Sequence, residues 1–218
     1  MSATTKRNDM LIRKSLIAIL LFFSLCAAAQ PKFYEPELYI GPNLGVTGSM
    51  VMFNPTVSQS YLLGYNGGIV VRYNAEKNIG TQIELNYSQR GWKENNGLYA
   101  RQLNYIEVPF MTHFFFGRNT KFFFNIGPKV SYLISEHTII NNAQTLDLQH
   151  VTPVQNRIDY GLCSGFGLLF NIKKESIQLD ARANYSLSDI FPSVSGSDFK
   201  NSNNVTVSVN LAWLIRIR

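Results

Sequence analysis

The chain has 218 residues, of which 45% are hydrophobic, 13% aromatic and only 16% charged. This composition excludes an intrinsically disordered protein, which has few aromatic and many charged residues. The two cysteines exclude a disulfide scaffold or a multi-cysteine zinc module. The net charge of +6 would suit a nucleic-acid-binding protein, so the positions of the basic residues matter.

The first 29 residues have the three parts of a Sec signal peptide. Arg13 and Lys14 form a basic region, residues 16–25 form a short apolar run, and Ala27 and Ala29 form a small-residue cleavage site. The apolar run is too short to span a bilayer comfortably, so cleavage is favoured over a membrane anchor. We therefore expect residues 1–29 to be removed.

The true start of the chain has two candidates, Met1 and Met10, because the sequence after Met10 still contains a sufficient basic region. After cleavage, residues 30–37 form a short N-terminal segment. Cleavage also lowers the net charge to +3, and the remaining basic residues form no patch interleaved with aromatics. We therefore expect no nucleic-acid partner.

From residue 38 onward, apolar and polar residues alternate with period two, which predicts β-strands with two different faces. The last stretch shows this most clearly, with Val207 and Val209 on one face and Thr206 and Ser208 on the other. An even number of strands is what closed bacterial membrane barrels require. The eight predicted strands cover residues 38–47, 63–73, 79–90, 103–116, 121–135, 158–172, 177–188 and 205–217.

Short and long connections alternate between these strands. Short periplasmic turns and long extracellular loops are typical of outer-membrane barrels. The sequence therefore predicts an all-β fold, an eight-stranded antiparallel up-and-down transmembrane β-barrel over residues 38–218. The predicted turns are 74–78, 117–120 and 173–176, and the predicted loops are 48–62, 91–101, 136–157 and 189–203.

The composition of the two faces separates a membrane barrel from a soluble one such as a lipocalin. The interior of an eight-stranded barrel is just wide enough for side chains, so bulky apolar residues are expected outside, against lipid. The polar face, rich in Gly, Ser, Asn and Gln, is expected to fill the lumen. Its charged members form a predicted structural network of Arg72, Glu84, Glu107, Lys129, Asp159, Asp180 and Arg182.

Aromatic residues on the outward face are predicted to form two belts at the membrane–water interfaces. The belt near the long loops consists of Tyr65, Tyr87, Tyr132, Tyr160 and Tyr185, and Tyr73 and Trp213 lie near the short turns.

The segment Leu103–Phe110, with the sequence Leu-Asn-Tyr-Ile-Glu-Val-Pro-Phe, resembles a strand of PorT-like outer-membrane β-barrel proteins of the Bacteroidota. Residues 85–91, residues 159–167 and the strand from Val205 to Leu214 fit the same family. The resemblance implies an eight-stranded outer-membrane barrel, and the founding member of that family is linked to a secretion machinery. The chain departs from many such barrels because it ends on Arg218 rather than on an aromatic residue.

No motif for catalysis, a cofactor or a metal stands out in the sequence. His113, His137 and His150 lack metal-ligand spacing, and pairing Ser188 with His137 as a lipid-modifying dyad is disfavoured because nothing orients the histidine.

Three function classes remain open. The first is a non-enzymatic structural or adhesion-type surface barrel, embedded in outer-membrane lipid, whose four long loops serve contact with an envelope partner or envelope structure. The second is an accessory of a secretion or assembly machinery, and the third is a small pore or lipid-modifying enzyme.

Because the cleavage site follows Ala29, we expect the mature protein to begin at Gln30. Intact-mass spectrometry of the protein extracted from membranes measures this directly. A mass that still includes the apolar run at residues 16–25 would contradict cleavage.

Overall fold

The computed structural model describes residues 34–141, 150, 153–191 and 200–218. The predicted signal peptide lies outside the described residues. No helix in the described part of the chain is long and apolar enough to cross a membrane. The strands are β1 (Glu37–Asn54), β2 (Gln59–Ser60), β3 (Leu62–Asn74), β4 (Ile79–Glu94), β5 (Tyr99–Gly117), β6 (Thr120–Asn141), β7 (Ile158–Ile172), β8 (Glu175–Asp189) and β9 (Asn201–Arg216).

Eight of these strands form a closed antiparallel barrel. Each long strand pairs with its neighbour in the chain, β9 pairs back onto β1, and β4 pairs with β5 to complete the ring. The two-residue strand β2 adds to the end of β4 through Gln59 and Ser60. The predicted fold class, an up-and-down barrel of eight membrane-length strands, is therefore confirmed.

The strands are staggered around the barrel. A row of ladder neighbours that starts at Ile215 of β9 returns to the same strand at Val205, ten residues away. Such a stagger in eight strands requires them to tilt by about 35–45° from the barrel axis. The row runs through Ile215, Ile40, Val71, Ile83, Phe110, Pro128, Leu162, Tyr185 and Val205.

The middle of the barrel has an apolar exterior and a polar interior. On β9, Val207 and Val209 are 44% and 58% exposed, whereas Thr206 and Ser208 are buried in the lumen. The same alternation holds along β8, where Leu179 faces out and Asp180 faces in. Because apolar side chains would leave water if they could, an exterior of this kind requires lipid around it.

We call the end with the connections at 75–78, 118–119 and 173–174 the turn end and the opposite end the loop end. The predicted turns are correct within about two residues, the usual uncertainty of element boundaries. The turn end also holds both ends of the barrel chain, because Leu38 bonds to the carbonyl of Arg218 at 3.0 Å.

The four predicted loops are wrong in extent, because the strands continue beyond the expected boundaries. β1 runs on to Asn54, β4 to Glu94 and β6 to Asn141, and the loop 91–101 shrinks to residues 95–98. Within the predicted loop 136–157, residues 142–149 and 151–152 lie outside the described residues, as do 192–199 within 189–203.

The strands are longer than predicted because the inward side chains change from polar to apolar toward the loop end of the barrel wall. Beyond the tyrosine belt near the loop end, the interior becomes apolar: Trp92 is fully buried inside the barrel, while the charged Lys93 beside it lies on the outer side. Val51 and Phe53 likewise point inward on β1. The inward positions of one continuous strand are therefore polar at mid-barrel and apolar near the loop end. A prediction that assigns one polarity to each face of the strand ends the strand too early.

Lipid contact at mid-depth makes a charge on the outer face of β9 costly. We expect Val209→Arg to destabilise the folded barrel by roughly 2–4 kcal/mol, because arginine near the bilayer midplane pays about that amount. The measurement is urea unfolding in liposomes.

Ile217→Arg is the control, because Ile217 is exposed just past the end of β9. Near the interface the cost falls to about 0–1 kcal/mol. Equal destabilisation by the two substitutions would contradict the placement of Val209 near the middle of the membrane and of Ile217 near its interface.

Candidate functional site

The lumen at mid-barrel is built around Arg182 of β8. Its guanidinium forms two hydrogen bonds to Glu84 of β4, at 2.7 and 2.9 Å, and a third to Asp180 at 3.0 Å. All three side chains are at least 94% buried. Gly165 stands opposite Arg182 on β7, where a Cβ would lie 3.5 Å from the Cα and Cβ atoms of Arg182. A two-point arginine–carboxylate contact across the lumen fixes β4 against β8.

Amides on the same strands complete the hydrogen bonding of these carboxylates. Gln82 and Asn86, two residues before and after Glu84, each donate to it at 2.7 Å. Asn210 of β9 donates to Asp180 at 2.6 Å. Since an unpaired carboxylate in a buried site is strongly unfavourable, these amides are part of what makes the charges tolerable.

Arg72 of β3 extends the network toward the turn end. It donates to Gln178 at 3.2 Å and to Ser176 at 2.9 Å, and Gln178 in turn donates to Asp180 at 3.0 Å. The guanidinium also lies over the ring of Tyr39, 4.6 Å from the centroid. Arg72, Asp180, Arg182 and Glu84 are therefore linked into one group, which we call the central cluster.

A second group lies nearer the loop end and is centred on Arg90 of β4. Arg90 forms a salt bridge with Asp159 at 2.8 Å and another with Glu107. Ser188 donates to Asp159 at 2.7 Å, so this carboxylate is held by several partners. Arg90 also lies over the ring of Tyr105, 4.8 Å from the centroid. We call this group the upper cluster.

Lys129 of β6 lies between the two clusters. Its neighbours on the ladder are Pro109 and Gly161, and its side chain is 98% buried. Its ammonium has no hydrogen-bond partner among the described residues. With Lys129 counted, the described lumen holds four basic side chains in and between the two clusters (Arg72, Arg90, Lys129, Arg182) and four acidic ones (Glu84, Glu107, Asp159, Asp180).

All seven lumen residues singled out from the sequence are buried inside the barrel, and six of them enter the two clusters. Sequence reasoning missed Arg90, the centre of the upper cluster. Its signal was present, because Arg90 continues the inward set of Gln82, Glu84, Asn86 and Ser88 on the same strand. The cross-barrel partners of each charge depend on strand stagger, which the sequence pattern does not give.

The expectation of a polar lumen without bulky apolar side chains is wrong at both ends of the barrel. At the loop end, a buried core fills the interior and includes Val51, Phe53, Trp92, Tyr99, Leu103, Tyr105, Leu133, Val154, Ile190 and Phe191. At the turn end, Phe115, Phe123 and Leu169 form one apolar group, and Tyr39, Val70, Ala212 and Leu214 form another. Apolar packing is favourable there because the lumen side chains are removed from both water and lipid.

The loop-end core is covered by further polar contacts. Arg101 of β5 donates to Glu136 of β6 at 2.8 Å, and Glu136 also accepts from the backbone of Val154 at 3.2 Å. His150 contacts Glu94 at 2.7 Å and stacks on Tyr99, 3.8 Å between ring centroids. These contacts tie the connection after β6 to the inside of the barrel wall.

The predicted tyrosines lie on the exterior, and each is at least 38% exposed. Tyr87 and Tyr132 share a ladder row through Ile106, while Tyr160 and Tyr185 lie on rows two and then four residues nearer the turn end. A stagger of ten residues over eight strands tilts each row, so this stepwise displacement keeps the rings at similar height. Tyr65 lies at the loop end of β3, and Tyr73 and Trp213 lie near the turn end.

The histidines and Ser188 do not come together. His113 is buried at the turn end and contacts Asn125 at 2.6 Å, whereas His137 is exposed on β6. Ser188 is bound to Asp159 instead. Within the described part of the chain, no group of three or more His, Cys, Asp or Glu could hold a metal ion.

A closed barrel with a lipid-compatible exterior and an ion-paired interior defines an integral membrane protein of the outer-membrane class. The sequence agrees with this at the level of family. The profile of the family described as outer membrane protein beta-barrel domain matches residues 28–192. The chain belongs to this family and is an outer-membrane β-barrel protein, as the sequence pattern predicted.

Solved structures of similar fold come from several bacteria. Ail, the attachment invasion locus protein of Yersinia pestis, is 16% identical over 82% of this chain and 99% of its own, with a TM-score of 0.44. Neisserial surface protein A is 11% identical over 84% and 99%, with a TM-score of 0.47. OprG from Pseudomonas aeruginosa is 10% identical over 84% and 95%, with a TM-score of 0.45. No curated protein matches the sequence.

Removing one partner of the central cluster tests its contribution to stability. We expect Glu84→Gln to lower the free energy of unfolding by about 3 kcal/mol, because it leaves the buried Arg182 guanidinium with one carboxylate instead of two. Urea unfolding in liposomes, followed by tryptophan fluorescence, measures this loss.

Glu37→Gln is the matched control, because Glu37 pairs with the partly exposed Arg216 at the turn end, at 2.8 Å. Exposed pairs contribute little, so this variant should unfold almost as the parent does. If both variants behave alike, the central cluster has no special role in holding the barrel.

Proposed function

We propose that the protein is a non-enzymatic surface barrel that contacts a partner through its loop end, which faces the outside of the cell. The observation that carries this proposal is the continuation of the wall past the tyrosine level into a structured, internally packed rim. We define the rim as residues 51–54, 59–62, 91–101 and 134–141. Long extracellular segments over short periplasmic turns are the usual arrangement of such barrels.

The lumen supports a role at the surface rather than transport. The central and upper clusters cross the middle of the barrel, and apolar groups fill both ends. The interior of an eight-stranded barrel is just wide enough for side chains, so these residues occupy the path that an ion would need.

The outer side of the rim supports contact with another molecule. Two register shifts between β5 and β6 leave Ile134 and Ile139 of β6 without a ladder partner on β5, and both are about half exposed. Tyr61 and Leu98 are also exposed on the rim. Bulges of this kind redirect side chains and are frequent at functional edges of barrels.

We also propose that the protein is a PorT-like protein of the Bacteroidota and that its signal peptide is removed. The motif that suggests this origin has a structural role in β5: Tyr105 and Glu107 point inward to Arg90, while Ile106 and Val108 face outward. The motif therefore supports common barrel architecture. A place in a secretion or assembly machinery is the alternative, and the identity of the rim's partner separates the two.

Because the clusters occupy the lumen, we expect no ion conduction. Purified protein inserted into planar bilayers should give no stable open-channel currents, and the variant Arg90→Ala should remain silent because the apolar ends stay packed. Stable currents from the parent protein would overturn the closed-lumen part of the proposal.

A photo-crosslinking amino acid at Ile139 tests the contact role in living cells. We expect crosslinks to one discrete envelope or external protein from Ile139, and none from the same probe at Phe122, which is exposed on the wall near the turn end. A machinery component captured at Ile139 would favour the secretion alternative. The same products from both positions, or no product from Ile139, would contradict a contact surface at the rim.

A further inference from the structure

Two surface features lie one above the other on the outside of β7 and β8. Near the loop end is a groove of about 620 Å³, and nearer mid-barrel is a depression of about 600 Å³. We propose that together they bind one glycolipid of the outer leaflet, with its phosphorylated sugar headgroup in the groove and an acyl chain in the depression. This inference depends on the outer-membrane location and goes beyond the proposed function of the rim.

The groove combines aromatic, polar and cationic groups at the level of the tyrosine belt. It is lined by Tyr132 and Tyr160, by Arg157 and Asn156, and by the apolar side chain of Leu187. Tyrosine rings at a membrane interface present an apolar face and a polar hydroxyl, which suits a sugar ring that also has both kinds of surface. The volume lies within the about 300–1,000 Å³ of ligand pockets.

Arg157 is the cationic side chain among the residues that line the groove. Its side chain is exposed and has no acidic partner among the described residues, while its carbonyl accepts a 2.7 Å hydrogen bond from Leu133 that fixes the backbone. Asp189 also lines the groove and keeps its charge, and one of its carboxylate oxygens accepts a hydrogen bond from the backbone of Ser202. Arginine recognises phosphate with two parallel hydrogen bonds, so a phosphorylated headgroup would satisfy it.

The depression below is apolar and results from small residues on the lipid-facing side. Ladder partners Ser164 and Ala183 form its floor, with Ala181 beside Phe166 on the next row. Bulky side chains bound it on either side, Leu63 on one and Phe124 and Phe166 on the other, and its upper edge reaches Tyr61 of the rim. It continues into a further depression of about 400 Å³ that shares Phe166, Ala181 and Val209.

The vertical arrangement favours a glycolipid over a second copy of the chain. On β8 the order from loop end to turn end is Leu187 in the groove, Tyr185, then Ala183 and Ala181 in the depression. The groove, which contains Arg157, lies at the membrane interface directly above the apolar depression. This arrangement matches a lipid that has a phosphorylated headgroup and an acyl chain. A second copy would need only the apolar depression and would leave Arg157 unused.

The test uses the full mature protein in nanodiscs containing phosphatidylcholine with a few per cent of lipid A, dephosphorylated lipid A or phosphatidylglycerol. Native mass spectrometry after detergent release measures how much lipid remains on the barrel. We expect lipid A to be retained at least about tenfold more than phosphatidylglycerol, and dephosphorylated lipid A to fall between them. Equal retention of lipid A and phosphatidylglycerol would overturn the proposal.

Two variants address the two parts of the site, with matched controls. Arg157→Gln removes the anion contact and Ala183→Phe fills the depression, and each should reduce lipid A retention about tenfold. Arg118→Gln, at an exposed turn-end arginine, and Val71→Phe, on the lipid face of β3, should leave retention unchanged. Heat-modifiable mobility in gels shows that each variant is folded.

Self-association is measured on the same samples by mass photometry. If the parent protein is dimeric and Ala183→Phe makes it monomeric without changing lipid A retention, the depression is an interface between copies and the lipid proposal is wrong. If Arg157→Gln retains as much lipid A as the parent, the headgroup assignment is wrong.

Discussion

The constraint on which the rest of the structure depends is that no backbone N–H or C=O group can remain unpaired inside a bilayer. Each such group costs several kcal/mol in hydrocarbon, so a sheet that crosses lipid has to close. Closure is achieved here by the pairing of β9 with β1, from Tyr39 with Arg216 at the turn end to Asn54 with Asn201 at the loop end. Once eight strands close with this stagger, the width of the lumen is fixed.

A lumen of fixed, small width forces the inward residues to satisfy one another. The solution is repeated within single strands: Gln82 and Asn86 flank Glu84 on β4, and Gln178 precedes Asp180 on β8. In a strand, residues two apart share a face, so an amide next to a carboxylate in the inward set reaches it without any tertiary adjustment. The charged contacts that cross the barrel are made by the long arginines, and each cluster is centred on one.

Alternation alone predicted most of the wall, because lipid outside and a narrow lumen inside impose opposite polarity on neighbouring residues. The number of strands, the short turns and the lipid-facing residues all follow from it. The pairing of Arg182 with Glu84 does not, since that contact spans from β8 to β4 and depends on strand stagger. Nor do the upper parts of β1 and β4, where Val51 and Trp92 place apolar side chains on the inward face.

Because of this inversion of polarity, the lipid-surrounded wall and the rim are stabilised by different interactions. Where lipid surrounds the wall, the apolar side chains contact lipid on the outside, and the polar side chains inside have to hydrogen-bond to one another. Where water surrounds it, as beside Lys93 on the rim, burial of Trp92, Phe53 and Phe191 inside the barrel supplies the stability of a small soluble core. The rim therefore has its own source of order, independent of the bilayer. A surface that is ordered by its own core loses little entropy on binding, and that is the property that a contact surface above a membrane requires.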